Sequence, residues 1–148
     1  MNKLFNTPFE SGMRAMMVLA AAHSRGMTVD RITAYDFMTI YGKSFEISEK
    51  NLHGDNSLNF SEFSAKRALC SEGIKAFVLD GLIGISRTKN GFLYRLTSAG
   101  RKYIETLDSD YKTQYMQIAA EVHRKYSRKS DAAILKEIND KAVKSLRR

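Results

Sequence analysis

Side chains able to catalyse a reaction or bind a metal are few and widely spaced in this chain of 148 residues. The three histidines, His23, His53 and His123, lie far apart, and none has a partner at the spacing of a helical metal site. His53 and Asp55 could form a metal-binding pair, but a lone pair in a polar stretch is usually just solvated. Cys70, the single cysteine, falls beside the apolar positions of a predicted helix and is interpreted as a packing residue. The sequence therefore predicts no enzyme activity, no metal and no cofactor.

Basic side chains form the second group of residues that could have a function, because they can bind an anionic partner. Residues 82–103 contain five bases and no acid, namely Arg87, Lys89, Arg95, Arg101 and Lys102. Residues 1–81 hold nine bases and nine acids, residues 104–122 have a net charge of −3, and residues 123–148 have one of +6. Clustered cations suit the phosphates of a nucleic acid or the acidic surface of a protein. We therefore expect these five side chains to contact one of the two. The alternative is a solvated basic face that only keeps the protein soluble.

A helix and a hairpin are predicted to position these bases. Apolar residues recur near the helical spacing through residues 67–80, and Gly81 suits the left-handed residue that ends a helix. Two strands follow, joined by Asn90-Gly91, a pair typical of tight turns in which both residues have positive φ. Helix, strand, tight turn and strand in this order indicate the wing of a winged helix.

The predicted turn also sets the pairing of the two strands. With Asn90-Gly91 as the turn, Arg87 lies opposite Tyr94 and Ile85 lies opposite Leu96. Residues 27–29 could add the small third strand that winged helices often place beside the hairpin. The predicted N-caps of the helices, in chain order, are Thr7, Asp30, Thr97 or Ser98, Ser109, and Ser130 or Asp131.

The expected fold class is mainly α (α+β): a winged-helix domain with a small β-hairpin wing and C-terminal helices. Residues 1–107 would form this domain with its N-terminal helices. Residues 108–148 would form a C-terminal helical extension, packed on the domain or on a partner. The polar connection of residues 42–57 is long for a loop inside a compact domain, which favours either mobility or an interface.

The second predicted helix carries more apolar side chains than one buried face requires. They are Ile32, Tyr35, Phe37, Met38, Ile40 and Tyr41. One interpretation is a helix buried deeply in a small core. The other is that Met16, Tyr35, Phe37 or Tyr41 anchors a partner protein, since methionine and aromatic side chains are enriched at such contacts. We expect at least one of these four side chains to form a partner interface.

Composition sets the broad class of protein. A hydrophobic fraction of 43% with a single proline is typical of a mainly helical globular domain. No apolar run reaches the ~20 residues of a membrane span, and the start of the chain lacks the pattern of a secretory signal. A single cysteine cannot form an internal disulfide. We therefore expect a cytoplasmic protein with no membrane contact.

Several short motifs give the chain a likeness to a known family. They are Phe5-Asn6-Thr7-Pro8-Phe9-Glu10-Ser11-Gly12-Met13-Arg14 followed by Leu19, Tyr35-Asp36-Phe37-Met38, Leu52-His53-Gly54, Leu82-Ile83, and Thr97-Ser98-Ala99-Gly100. Together they resemble the middle components of the ABC three-component systems, of which the Lamassu anti-phage and anti-plasmid systems are the best-known setting. The resemblance extends from residue 5 to about residue 138, and Asn-Thr-Pro-Phe-Glu is its most distinctive part.

The resemblance implies a non-catalytic adaptor. Such a subunit sits on an SMC-like or Rad50-like ATPase and helps to hold or restrain an effector, usually a nuclease. From the basic wing, we expect contact with DNA within the assembled complex. The family supplies no catalytic residue to transfer to this sequence.

Two other classes of protein stay open. A stand-alone winged-helix transcription regulator is the main alternative, since residues 96–100 are similar to the same step in MarR-type regulators. Against it, the helix of residues 67–80 has Lys75 as its only interior base, whereas a major-groove reader offers several Arg, Asn or Gln side chains. A small hydrolase is a more distant alternative.

Overall fold

The computed structural model describes residues 7–54 and 60–146 and is mainly helical. Its elements in chain order are α1 (Pro8–Ala21), α2 (Val29–Ile40), α3 (Phe60–Leu79), β1 (Ile83–Thr88), β2 (Gly91–Leu96), α4 (Ser98–Thr106), α5 (Asp110–Tyr126) and α6 (Asp131–Leu146). Within the described residues, the six helices and one antiparallel hairpin confirm the mainly helical class expected from the sequence. The helix expected over residues 67–80 is longer than predicted and begins at Phe60.

Side-chain oxygens cap most of the helices where the sequence predicts. Thr7 caps α1, Thr97 caps α4, and Ser109 caps α5, each through its hydroxyl oxygen and a backbone N–H three residues later. Ser130 accepts a hydrogen bond from the backbone N–H of Ala133 at the start of α6. These caps fix the chain directions with which the helices enter the core.

The predicted cap of α2 is wrong by two residues. The hydroxyl of Thr28 accepts the hydrogen bond from the backbone N–H of Arg31 at 3.0 Å. Thr28 has the extended backbone of a cap residue, with φ −71° and ψ 160°. Asp30 instead lies in the first turn of α2, where its carboxylate forms an ion pair with Arg67 of α3.

The register of the hairpin differs from the prediction by two residues. Ile85 lies opposite Tyr94, and Arg87 lies opposite Phe92, so the two-residue turn is Lys89-Asn90. Because the shift is two residues, every side chain keeps its predicted face of the sheet.

Thr88 explains the position of this turn. Its hydroxyl accepts a hydrogen bond from the backbone N–H of Asn90 at 3.2 Å and donates one to the carbonyl of Gly91 at 2.7 Å. A threonine at this place starts a turn with its own side chain. Positive φ is then needed only at Gly91, where it is +115°, and not at Asn90.

An isolated β-bridge joins Met27 to Tyr94 of β2. The backbone N–H of Met27 donates to the carbonyl of Tyr94 at 2.9 Å, and the N–H of Tyr94 donates to the carbonyl of Met27 at 2.8 Å. This bridge bears out the expected third strand of residues 27–29 only at Met27, because Thr28 caps α2 and Val29 begins it. It ties the α1–α2 connection to the sheet.

Helices α1 and α2 lie at the centre of the core. Helix α1 packs on α3, α5 and α2, while α2 also packs on α3, α5 and α6. Buried side chains of α5 and α6 belong to the same cluster, among them Tyr115, Val122, Tyr126, Ile134 and Ile138. Residues of the C-terminal helices thus complete the core that the first two helices begin.

Within the described residues, no helix is both long enough and apolar enough to cross a lipid bilayer.

Candidate functional site

The five basic residues predicted to contact a polyanion are all exposed, and the hairpin divides them between its faces. Residues directly opposite in a hairpin point to the same face, and neighbours along a strand alternate. Arg87 therefore shares a face with Phe92 and Ile85, whereas Arg95 lies on the other face with Ser86. The guanidinium of Arg95 donates a hydrogen bond to the hydroxyl of Ser86 at 2.9 Å. Lys89 lies in the turn, and Arg101 and Lys102 lie on α4.

These five cations have no carboxylate partner in the described part of the chain. The ion pairs among residues 7–54 and 60–146 involve other bases, such as Arg67, Arg124 and Lys136. The bases of the hairpin and α4 are therefore accessible to an external anion. Exposed bases in this arrangement are compatible with the predicted contact with phosphates and equally with contact with an acidic protein surface.

The predicted partner anchors on the first two helices are buried in the chain itself, which corrects that expectation. Met16, Tyr35 and Phe37 are 0% exposed, and Tyr41 is 4% exposed. The ring of Phe37 packs on the ring of Tyr41, with 4.8 Å between their centroids, and also on Phe45 and Phe63. Helix α2 is apolar on several faces because four other helices surround it. The burial interpretation is therefore the right one for these four side chains.

A buried ion pair, which the sequence did not indicate, connects α1 with α2. The guanidinium Nε of Arg14 donates to Oδ1 of Asp36 at 2.9 Å, and the two side chains are 2% and 5% exposed. The hydroxyl of Tyr115 on α5 donates to the same carboxylate oxygen at 2.5 Å. Three helices thus meet at one carboxylate.

The electrostatics of this cluster keep Asp36 charged. Burial is the largest influence and raises the pKa of Asp36, but the charges of Arg14 and Lys66 and the hydrogen bond from Tyr115 together outweigh it. The pKa of Asp36 therefore lies below its ordinary value. Burial and then the Asp36 charge raise the pKa of Tyr115 well above its usual range, so its hydroxyl remains a donor. Within the described residues, Nη1 of Arg14 has no hydrogen-bond partner.

His53 lies at the edge of this cluster. Its Nε2 is 2.6 Å from the hydroxyl of Tyr111, and the two rings stack with centroids 5.8 Å apart. Burial, followed by the charge of Arg14, lowers the pKa of His53 to about 4. Asp55, its predicted metal-binding partner, lies outside the described residues. Among residues 7–54 and 60–146, no three His, Cys, Asp or Glu side chains group as a metal site.

His53 predicts a pH dependence of stability. Its folded pKa of about 4 lies below an unfolded value of about 6.5, so between these values the unfolded chain binds more protons. The contribution is complete above pH ~6.5 and is lost as the pH falls through about 4. We expect His53→Gln to remove about 1–2 kcal/mol of the stability change between pH 7 and pH 5, after discounting for partial exposure. Urea unfolding at both pH values measures it, and an unchanged pH dependence contradicts it.

The exposed side of α3 is poor in groups that read bases. Arg67 forms an ion pair with Asp30, and Lys75 follows the acidic Glu72 by three residues in the sequence. The other exposed positions of this helix include Ala65, Ala68, Ala76 and Leu79. Small apolar side chains offer no hydrogen bonds to base edges in a major groove. This surface does not favour sequence-specific recognition through α3.

The described residues thus form a mainly helical structure with an exposed hairpin that carries Arg87, Lys89 and Arg95. The family model of the ABC-three component (ABC-3C) system Middle Component 2, MC2, matches residues 4–148. The chain therefore belongs to this family and is a middle component of such a system. Comparisons with curated proteins and with solved structures find no match. Family membership confirms the resemblance to middle components, while the Lamassu setting stays a prediction.

Proposed function

We propose that this chain is a non-catalytic adaptor that joins an SMC-like or Rad50-like ATPase subunit to an effector, in a complex acting against phage or plasmid DNA. The observation that carries the proposal is membership of the middle-component family over residues 4–148. A component of a multi-part system works through its partners. The effector in this proposal is a nuclease, and the complex acts in the cytoplasm.

Co-purification tests the adaptor role. The tagged chain is expressed together with the products of its neighbouring genes, and the ATPase and effector are expected to elute with it in fixed proportion. If the chain elutes alone and binds one DNA sequence tightly, the alternative of a stand-alone transcription regulator replaces the adaptor.

We also propose that α2, α3, β1 and β2 have the winged-helix arrangement, in the domain expected over residues 1–107. The order α2, α3, β1 and β2 supports it, as does the isolated bridge that pairs Met27 with Tyr94 beside the hairpin. In this arrangement the hairpin is the wing. The wing presents basic side chains from a stiff element, since its turn is fixed by the Thr88 hydroxyl.

Lys89 and Arg95 of the wing, with Arg101 and Lys102 of α4, are proposed to contact DNA phosphates within the assembled complex, without reading bases. Their exposure and lack of carboxylate partners in the described part of the chain support this. Phosphate contacts release counterions, so the binding is salt-dependent.

The variant Arg95→Glu with Lys102→Glu tests the phosphate contact. These two are chosen because Arg87 shares its face with two exposed apolar side chains. We expect weaker DNA association of the complex and a salt slope smaller by about two units, about one for each lost contact. Filter binding or fluorescence anisotropy at several salt concentrations measures both quantities.

A matched variant controls for the change in net charge. Lys43→Glu with Lys50→Glu alters the charge equally, at two exposed positions of the α2–α3 connection. This control is expected to bind DNA as the natural protein does. Equal losses in both variants, or a collapse of complex assembly in the first, would remove the phosphate contact from the proposal.

A further inference from the structure

We propose that the outer edge of β1 binds an extended segment of a partner protein, which adds a strand to the hairpin. The segment has an apolar side chain and a carboxylate two positions apart. The inference rests on the proposed function, since the partner is another component of the same system. The outer edge of β1 is the surface to which this partner binds.

The pairing of the hairpin shows which backbone groups of β1 point outward. Tyr94 exchanges both of its backbone hydrogen bonds with Met27, so its N–H and C=O point away from β1. Ile85 lies opposite Tyr94, in a pair that exchanges no hydrogen bonds. The N–H and C=O of Ile85 therefore point to the outer edge, and by alternation those of Arg87 do as well.

This outer edge is open along its distal half. In the described part of the chain β1 pairs only with β2, and no backbone hydrogen bond from another segment reaches Ile85 or Arg87. Both residues are exposed, whereas Ile83 at the start of the strand is buried. An edge with unpaired N–H and C=O groups is a template for a further strand.

The side chains on one face of the hairpin indicate what the added strand carries. Ile85 is 44% exposed and Phe92 is 49% exposed, and they are diagonal neighbours on this face, with Arg87 directly opposite Phe92. An apolar side chain of the partner would pack beside Ile85. A carboxylate two residues further along would lie beside Arg87, because side chains on one face repeat every second residue.

A protein segment fits this edge better than a nucleic acid or a second copy of the chain. Phosphates gain nothing from outward carbonyl groups or from the exposed Ile85 and Phe92. A second copy would bring together two segments of residues 82–103, each with five bases and no acid. Charge complementarity therefore favours a different protein, whose segment carries acidic side chains.

A synthetic peptide tests the edge directly. The end-blocked octapeptide Thr-Ile-Thr-Glu-Thr-Ile-Thr-Glu is added to the ¹⁵N-labelled full chain, and amide exchange is followed by NMR. The amides of Ile85 and Arg87 are expected to exchange about tenfold more slowly at saturating peptide, since each becomes hydrogen-bonded. The same peptide with Lys in place of Glu is expected to bind more weakly.

Two variants separate the backbone and side-chain contributions. Ile85→Pro removes an outward N–H without removing a hydrogen bond to β2, and proline is tolerated on edge strands. Phe92→Ser removes the exposed ring and keeps the test valid if the proline disturbs the hairpin. Each is expected to raise the dissociation constant of the peptide about tenfold. Val143→Ser, at a side chain on α6 that is 39% exposed, is the control and is expected to bind normally.

The outcomes distinguish this inference from the adaptor role. Unchanged peptide binding in folded Ile85→Pro and Phe92→Ser would overturn it, as would protection of the two amides by a 12-base-pair DNA duplex but not by the peptide. The inference would also be overturned if light scattering showed dimers of the natural chain and only monomers of Phe92→Ser. Peptide binding by a chain that does not co-purify with an ATPase supports the edge and contradicts only the adaptor role.

Discussion

Asp36→Asn is expected to lower the free energy of unfolding by about 3–5 kcal/mol, the usual cost of removing one partner from a buried ion pair. The substitution keeps the shape of the side chain but leaves the charge of Arg14 buried without its counter-ion. Lys66 adds a second positive charge nearby, whose interaction with Asp36 is also lost. Native domains are stable by only about 5–15 kcal/mol, so the effect is a large fraction of the total. Urea unfolding followed by circular dichroism measures it.

Two further variants divide this effect into charge and hydrogen bond. Tyr115→Phe removes one hydrogen bond to the carboxylate but keeps the ion pair, and is expected to cost about 1.5–3 kcal/mol. Asp140→Asn breaks an exposed pair with Lys136 and is expected to cost less than about 1 kcal/mol. If Asp36→Asn costs no more than Asp140→Asn, the buried pair does not hold the helices together.

An apolar replacement tests whether the ion pair serves stability at all. In Arg14→Met with Asp36→Leu and Tyr115→Phe, apolar groups replace the ion pair and the hydroxyl that bonds its carboxylate, while Lys66 stays in place. Apolar groups of similar volume often replace a buried ion pair at little cost. We expect this triple variant to recover most of the stability lost in Asp36→Asn. Failure to recover it would mean that packing, not the uncompensated charge, sets the cost.

The lowered pKa of Asp36 sets the pH below which its carboxylate no longer stabilises the folded chain. Its stabilisation is complete above the unfolded pKa of about 3.9 and is lost as the pH falls through the lower folded value. His53 acts at higher pH, between about 6.5 and about 4. The two groups therefore affect the pH dependence in different ranges.

Local structure was the part of this fold that the sequence predicted best. Thr7, Ser109 and the threonine at position 97 cap the expected helices, because capping depends on a hydroxyl and on N–H groups within three residues. The turn of the hairpin was misplaced because two local signals compete there. The Thr88 hydroxyl starts the turn one residue before the Asn90-Gly91 pair would.

Contacts between distant segments were the part that the sequence did not predict. Arg14 and Asp36 are 22 residues apart, and nothing local pairs them. Their one signal was a charge inside a run of apolar residues, which becomes informative only when the whole helix is known to be buried. The same uncertainty made Tyr35 and Phe37 equally consistent with a core and with an interface. The burial of these side chains depends on how many helices pack around α2, and this tertiary packing cannot be read from the periodicity of one helix.

Gly73→Ala is expected to destabilise the protein by about 3 kcal/mol or more, although alanine is the better helix former by about 1 kcal/mol. A Cβ atom at residue 73 would lie 2.2 Å from the carbonyl oxygen of Pro8, 2.6 Å from the nitrogen of Gly12 and 2.7 Å from its Cα. All three atoms belong to the backbone of α1, so no side-chain rotation relieves the clash. Helices α1 and α3 would have to separate along the contact that builds much of the core.

Helix propensity alone predicts that Gly73→Ala raises the stability, whereas a close helix crossing predicts that it lowers the stability. The sign of the change in stability therefore tests the crossing. Ser64→Ala, at an exposed position of the same helix, changes helix propensity without a contact and is expected to be neutral or slightly stabilising. Gly12→Ala on the facing helix should also destabilise, since its Cβ would lie 2.6 Å from Cε2 of Phe77. The shortest of its contacts are with a ring, which can shift, and the backbone contact, 3.0 Å from the carbonyl carbon of Gly73, is longer than those made at residue 73. The cost should therefore be smaller than that of Gly73→Ala. If thermal unfolding shows Gly73→Ala to be as stable as Ser64→Ala, the two helices do not cross at the distance that these glycines allow.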